Sequence, residues 1–343
     1  MSSLVWRITP LVLLALLAAA LWRVPDVPAA EVRYLRIAAG PTGTLGFQTG
    51  TVLAGVLSRP PGLPPCRPGE ACGVPGLVAL AQSLPVQGDI TAAVAGGQVD
   101  TGIATADAVH AARCPAEPNA KPANLTLLGD LYGETLHVLV RPGLDITTVE
   151  GLKGRRVAIG KAASADRRLA DRLLTAHGLR RRDVRAQELA GDDALAALAE
   201  GKVDALFRIA AVPDPKVAEL AAAQKVVLLP VTGEAAGRLS ALHPFSGPGK
   251  IPAGTYGEAG AVETLDQPVV WIAGPDLPAT LAGPMAQALS AKPNRDLLKA
   301  GDTIPLALEQ PVPARPVAPL HPGAAAAYGR DPVAMPCQQV RAR

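Results

Sequence analysis

The sequence predicts an α/β fold of two similar lobes with a ligand cleft between them. Three observations point there. Short apolar runs of strand character alternate with helical patterns, which implies parallel sheets covered by helices on both faces. A strand–loop–helix scheme occurs twice along the chain. The 343 residues, 49% hydrophobic and 18% charged, are also enough to build two cores. The 34 glycines and 34 prolines argue for many turns, not long helical bundles. A net charge of +3 with 3% aromatic residues argues against a general nucleic-acid binder and against a ring-lined sugar groove.

The first element, residues 1–29, reads as a signal peptide or a membrane anchor. Arg7 precedes residues 11–22, which carry no charge, and Val27-Pro28-Ala29 offers a small-residue cleavage box. Residues 8–22 are shorter than the roughly 20 residues that a membrane span needs. Either outcome exports the rest of the chain, to the periplasm.

The first unit follows. Leu35-Arg36-Ile37-Ala38-Ala39 is a strand ending at Gly40, Pro41-Thr42-Gly43-Thr44-Leu45-Gly46 is a loop, and Val52, Leu53, Val56 and Leu57 recur at helical spacing. The second unit opens on Arg156-Val157-Ala158-Ile159-Gly160, with the loop Lys161-Ala162-Ala163-Ser164-Ala165 and a helix marked by Leu169, Leu173 and Ala176. Each unit also holds a helix that ends at a glycine and leads into a strand. These are Ala95-Gly96-Gly97-Gln98-Val99-Asp100 and Ala199-Glu200-Gly201-Lys202-Val203-Asp204. Ligands in open α/β sheets sit beyond the C-terminal strand ends, so two lobes can present those ends to one cleft. The two loops then place helix N-termini there, which favours an anion; the alternative is that they only cap helices.

Four cysteines in an exported chain suggest two disulfides. Cys66 and Cys72 flank Pro68-Gly69, a turn that can close this loop. Cys114 and Cys337 would then tie the tail to the body, although four cysteines allow three pairings. No Cys-x-x-Cys pair supports the rival zinc reading, and no metal or cofactor is implied. Residues 153–185 hold eleven Lys and Arg against three Asp, read as a solvated helix end and turn, or else as a docking face for an acidic membrane partner or anionic lipid.

These stretches, in this order, resemble the TAXI-type solute receptors of TRAP transporters. The likeness covers about residues 35–330. It rests on the loop at 37–46, on Ala95-Gly96-Gly97-Gln98-Val99-Asp100 leading to Ala104-Thr105-Ala106-Asp107, and on the strand from Leu131 to Arg141. Leu152-Lys153-Gly154-Arg155-Arg156-Val157, Ala210-Ala211-Val212-Pro213-Asp214-Pro215, His243-Pro244-Phe245, Ile251-Pro252-Ala253-Gly254-Thr255-Tyr256 and Leu320-His321-Pro322-Gly323-Ala324 complete it. The resemblance implies a type II periplasmic-binding-protein fold with hinge crossings. It also implies closure on a small ligand, a carboxylate such as glutamate or 2-oxoglutarate in the known cases. Delivery would be to the permease subunits of an ion-driven membrane transporter.

Lobe 1 is expected at 31–143 and 246–325, lobe 2 at 144–245, and a tail at 326–343, with the Pro-rich 305–322 wrapping lobe 1. Thr42, Gly43, Thr44, Thr105, Asp107, Ala163, Ser164, Arg208, Val212 and Pro213 are the expected ligand-binding residues. The departures from the family pattern, Pro41 and Thr44 in the first loop and Lys161, Ala163 and Ala165 in the second, leave glutamate specificity uncarried. They add positive charge, and Arg208, ahead of Lys161, is a candidate clamp for an anionic group of a small organic acid or amino acid; the alternative is a solvated side chain or a salt bridge at the cleft edge. Glu134 and His137 fall on opposite faces of a strand and His321 reads as structural, so no catalysis is expected. The expected protein is a monomeric receptor without nucleic-acid partners. The alternatives are a sensory subunit that reports to a membrane kinase and a secreted enzyme on the same scaffold.

Overall fold

A computed structural model describes residues 32–337, except 43, 85–86, 116, 118, 163–164, 243–244, 300–315 and 335. The signal segment, Gly43, Ala163, Ser164 and most of 305–322 therefore lie outside the described residues. In chain order the first lobe begins with β1 (Arg33–Ala39), α1 (Leu45–Leu57), the short β2 (Ser58–Arg59) and β3 (Val74–Pro75), and β4 (Leu77–Ser83). It continues through α2 (Gln87–Ala95), β5 (Thr101–Thr105) and α3 (Ala106–Arg113) into the long β6 (Thr126–Val140). The second lobe holds β7 (Arg156–Ala158), α4 (Ala165–Ala176), β8 (Arg185–Gln187), α5 (Gly191–Ala199), β9 (Ala205–Ala210), α6 (Pro215–Ala222), β10 (Val227–Leu229) and α7 (Gly233–Leu242). The chain then passes through β11 (Gly247–Ile251) and β12 (Val262–Ala273) to α8 (Ala279–Ser290), α9 (Lys292–Lys299) and α10 (Pro322–Tyr328).

The fold is α/β with two lobes, but its sheet is mixed where parallel sheets were expected. The strand order is β3-β2-β4-β1-β5-β12-β6-β9-β7-β8, with β11 on β12 and β10 on β6. β1 is parallel to β4 and β5, and β7 to β8 and β9. β12 is antiparallel to β5 and β6, and β6 is antiparallel to β9. The reason is the crossing. β6 carries the chain out of the first lobe, pairing with β12 up to Thr135 and with β9 from there, and β12 brings it back in the opposite direction.

Each lobe has a core on both faces of its sheet, as strand alternation requires. In the first, Ile37 and Trp271 face α1 and α8, while Ala38, Val270 and Ile272 face α2 and α3. In the second, Val138, Val157 and Phe207 face α4, while Leu139, Ala158 and Leu206 face α5 and α6. Ile251, Tyr256 and Leu265, assigned by sequence to lobe 1, pack in the second lobe's cores. The crossings thus lie within β6 and β12, later on the return than residue 246. A single strand serves both lobes, and its pattern carries no mark of where it changes partner.

The duplication survives in atomic detail. In the first lobe the Arg36 amide and guanidinium both bind Asp100, at 2.7, 3.1 and 3.0 Å. In the second, Arg156 binds Asp204 in the same three ways, at 2.9, 3.2 and 2.6 Å. Gly97 and Gly201 take the matching left-handed turn, with φ of 69° and 72°, which glycine adopts without steric cost.

The C-terminal segment packs on the first lobe. Leu127 N–H donates to Pro319 O and His321 N–H to Leu127 O, both at 2.8 Å, and Val317, Ala318 and Leu320 are buried. The His321 ring is neutral and structural: Nε2–H donates to Leu277 O at 2.9 Å, and Nδ1 accepts from Gly323 N–H at the start of α10. Gly323 meets α8 so closely that a Cβ would stand 2.5 Å from Ala279 O and 2.8 Å from Gly283 N. Both are backbone atoms, so one helix must shift. Gly323→Ala is expected to destabilise by about 1–3 kcal/mol, the usual range for overpacking. An unchanged urea midpoint would show that the helices have room to part.

Both disulfides are Cys66–Cys72 and Cys114–Cys337. Buried Asn294 pins the first to α9, accepting from Cys72 N–H at 2.7 Å and donating to Cys72 O at 2.9 Å.

Candidate functional site

The two lobes meet where strand β5 hands the chain to α3. Thr105 caps that helix, its hydroxyl accepting from Ala108 N–H at 3.4 Å. Asp107, in the first turn, is buried and points across to the other lobe. There Arg168 and Arg172 lie four residues apart on α4, so both side chains project from one face. Arg168 Nε and Nη2 donate to Asp107 Oδ2 at 2.7 and 2.5 Å, and Arg172 Nη1 donates to Oδ1 at 2.6 Å. Burial alone would raise the Asp107 pKa, but the two guanidiniums outweigh it and hold the carboxyl below its ordinary value. One carboxylate of lobe 1 is thus clasped by two arginines of lobe 2.

Beside this clasp the lobes leave a cavity of about 20 Å³, room for about one water molecule. Its polar wall includes Asp107, Glu134, Arg172, Asp266 and Gln267; Leu136, Leu169, Leu239 and Leu265 supply the apolar part. Anything larger than water enters only as the lobes separate. Burial pushes Glu134 up to about 7; the charge of Asp166 adds to this, while neighbouring Gln267 and Arg208 act against it. Asp166, in the first turn of α4, is raised by burial against the pull of Arg208 and Arg168. Asp266 is likewise raised by burial, although the Thr135 hydroxyl donates to it at 2.6 Å. Gln267 is buried and sits opposite Glu134 in the β6–β12 register.

On the lobe 2 side, Arg208 Nε donates to Asp214 Oδ2 at 2.8 Å. The other Asp214 oxygen caps α6, accepting from Lys216 and Val217 N–H at 2.8 and 3.1 Å. Asp214 N–H in turn donates to the Tyr256 hydroxyl at 2.6 Å. That hydroxyl donates to Nε2 of fully buried His137 at 2.9 Å, because His137 Nδ1 faces the Thr135 carbonyl at 2.9 Å and must carry the proton. Burial lowers the His137 pKa in keeping with this neutral form. The chain of bonds fixes the Arg208–Asp214 loop to the crossing strand.

The expected site residues are only partly assembled here. Thr42 and Thr44 are exposed; Thr44 caps α1, accepting from Phe47 N–H at 3.4 Å and donating to Pro41 O at 2.7 Å. Gly43, Ala163 and Ser164 lie outside the described residues, and Val212 and Pro213 are neighbours of Asp214. Lys161 is exposed. The Arg208 fork expected to grip an anion is turned to Asp214. His110 stacks obliquely on Phe245 at 5.4 Å.

The basic run at 153–185, read as a solvated end or a docking face, is largely exposed, with Lys153, Lys161, Arg180, Arg181, Arg182 and Arg185 at the surface, although several of its arginines are paired. Arg156 and Asp204, Arg180 and Asp183, and Arg181 and Asp171 are paired, while buried Arg167 donates to Ile159 O, Gly160 O and Glu188. Sequence reading missed Arg168 and Arg172. Their i, i+4 spacing beside Leu169 and Leu173 was the available signal.

Residues 76–329 match the pattern of the NMT1-like family. Among solved structures, the chain is similar to the alkanesulfonate-binding protein SsuA of Xanthomonas axonopodis pv. citri bound to MOPS, at 22% identity, covering 89% of this chain and 86% of that one, with a TM-score of 0.45. It is similar to the periplasmic aliphatic sulphonate-binding protein SsuA of Escherichia coli at 18% identity, over 86% and 89% of the two chains, with a TM-score of 0.46. For a TctC solute-binding protein from Polaromonas the values are 15%, 83%, 91% and 0.49. Among the described residues, no helix is long and apolar enough to cross a membrane.

Proposed function

This chain belongs to the NMT1-like family, and from that premise we propose that it is a periplasmic receptor that captures a small organic solute between its two lobes. The observation that carries the reading is the junction itself. Two lobes with separate cores are joined by the crossing strands β6 and β12, and the walls that face each other hold charged and amide groups. A cleft so built converts binding into closure, because a ligand touching both walls favours the state in which they meet. We further propose delivery to a TRAP-type secondary transporter, on the strength of the TAXI-like stretches and their order in the sequence.

The test is a melting series with organic acids, amino acids, amines and neutral controls. A ligand at a hundred times its dissociation constant adds about 2.7 kcal/mol. At about 2.1 cal/mol/K per residue, that raises the melting temperature of a chain this size by roughly 4 °C. One responding class supports the reading, and a flat response across the whole panel ends it. Uptake of the responding compound by cells lacking the chain then checks delivery, since unchanged uptake would remove the transport role.

A further inference from the structure

Cys66 and Cys72 close a loop at the outer edge of the first lobe, between the short strands β2 and β3 that end its sheet. Arg59, the last residue of β2, points its guanidinium into that loop. Its Nη1 donates to Cys66 Sγ at 2.5 Å and to Cys72 Sγ at 2.7 Å, and its Nη2 donates to the Pro64 carbonyl. Elsewhere the guanidiniums of Arg36, Arg156, Arg168, Arg172 and Arg208 hold carboxylates. Among the described residues, Arg59 forms no ion pair, and its fork is spent on two sulfurs and a carbonyl.

The sulfurs of a disulfide are neutral and accept hydrogen bonds weakly, so they match a full positive charge poorly. Two electrons change that. Reduction leaves two thiols in the same place, and a guanidinium in contact favours their thiolates. A thiolate so stabilised is also the better leaving group, which speeds exchange.

Access is arranged to match. Residues 62–65 and 67–71 are exposed, and Cys66 lies among them. Cys72 is the fixed member. Its N–H and its carbonyl both bind the Asn294 side chain, at 2.7 and 2.9 Å, and the same amide reaches Ala288 O at 2.8 Å.

We propose that Cys66–Cys72 is a thiol-exchange site, a bridge that an external dithiol opens reversibly, with Arg59 holding the thiolate that is released. One thiolate of the dithiol attacks Cys66 Sγ. The Cys66–Cys72 bond breaks, a mixed disulfide forms on Cys66, and the electron pair leaves on Cys72 Sγ beside Arg59. The second thiolate then attacks the reagent's own sulfur in the mixed disulfide and frees Cys66. The dithiol is oxidised to a disulfide by two electrons, the bridge is reduced by the same two, and the reagent's two protons pass to the cysteines or to solvent. Asn294 keeps Cys72 and α9 in place throughout, so opening loosens the loop and leaves the lobe folded.

The experiment equilibrates the purified full chain with mixtures of reduced and oxidised dithiothreitol. Free thiols are trapped with a maleimide and assigned to Cys66, Cys72, Cys114 or Cys337 by peptide mass. Arg59→Gln should lower the equilibrium constant for opening Cys66–Cys72 at least tenfold, a fall of about 30 mV in reduction potential, and leave that of Cys114–Cys337 unchanged. Arg59→Lys keeps the charge without the fork; it should fall between the two and serves if the glutamine variant folds poorly. Circular dichroism of the wild type with the 66–72 bridge open should keep its helical signal. The same equilibrium constant in the wild type and both variants would overturn the proposal. So would a shift of equal size at both bridges, which marks a general loss of stability, or a loss of the helical signal on opening, which marks a structural clamp.

Discussion

Replacing Asp107 by alanine should lower the unfolding free energy by about 3 kcal/mol and let the lobes part. Removing one partner of a buried pair costs about 3–5 kcal/mol, because the other charge is left without a counterion. The lower end applies here. The arginine side chains keep 27% and 29% of their exposure, so they can turn to water once released. At about 2.1 cal/mol/K per residue, the melting temperature should fall by roughly 4 °C. Because Asp107 belongs to lobe 1 and its partners to lobe 2, the substitution should also increase the radius of gyration measured by small-angle scattering. The pH dependence has a definite sign. The folded-state pKa of Asp107 lies below its unfolded value of about 3.9, so the clasp contributes fully above that value. Its contribution is lost as pH falls through the folded value, and wild type and variant should converge in strong acid. Equal stability at pH 7 with an unchanged scattering curve would show that the clasp does not hold the lobes together.

The clasp also shows what the residues disclosed in advance and what they hid. The repeat was legible because it rests on local chemistry. An arginine in a strand, a glycine after a helix and an aspartate three residues later recur at matched places, and they build the same Arg–Asp fork in both lobes. The Cys66–Cys72 bridge was legible for the same reason, as its turn lies inside its loop. The mixed sheet was not, because strand direction is set by where the chain crosses between lobes, and β6 and β12 carry no residue that marks a change of partner. Asp107 could be singled out from its position at the end of β5. Its partners could not, since Arg168 and Arg172 sit in a basic run that composition alone assigns to solvent. Arg208 shows the converse. Its type suits an anion, and its Nε already donates to Asp214, six residues on, a salt bridge at the cleft edge that the sequence alone could not choose over a ligand contact.

The two disulfides should differ in what they contribute, and the ranking follows from the lengths of chain they close. In the chain-entropy account, the seven-residue loop of Cys66–Cys72 is worth about 2 kcal/mol, whereas a loop joining residues 223 positions apart approaches about 5 kcal/mol. The second figure needs a correction from the folded state. Residues 329–333, 336 and 337 are exposed, and cutting Cys114–Cys337 frees this stretch in the native protein as well as in the unfolded one. Part of the gain is thereby returned, but the buried run around Leu320 and the Arg113 guanidinium bound to Val317 O still hold the segment before it to lobe 1. The double variant Cys114→Ser/Cys337→Ser should therefore lose about 3–5 kcal/mol, and Cys66→Ser/Cys72→Ser about 2 kcal/mol. Urea denaturation of the two variants decides it. A larger loss from the short loop would mean that its value lies in holding Asn294 and α9 in place, with chain entropy secondary.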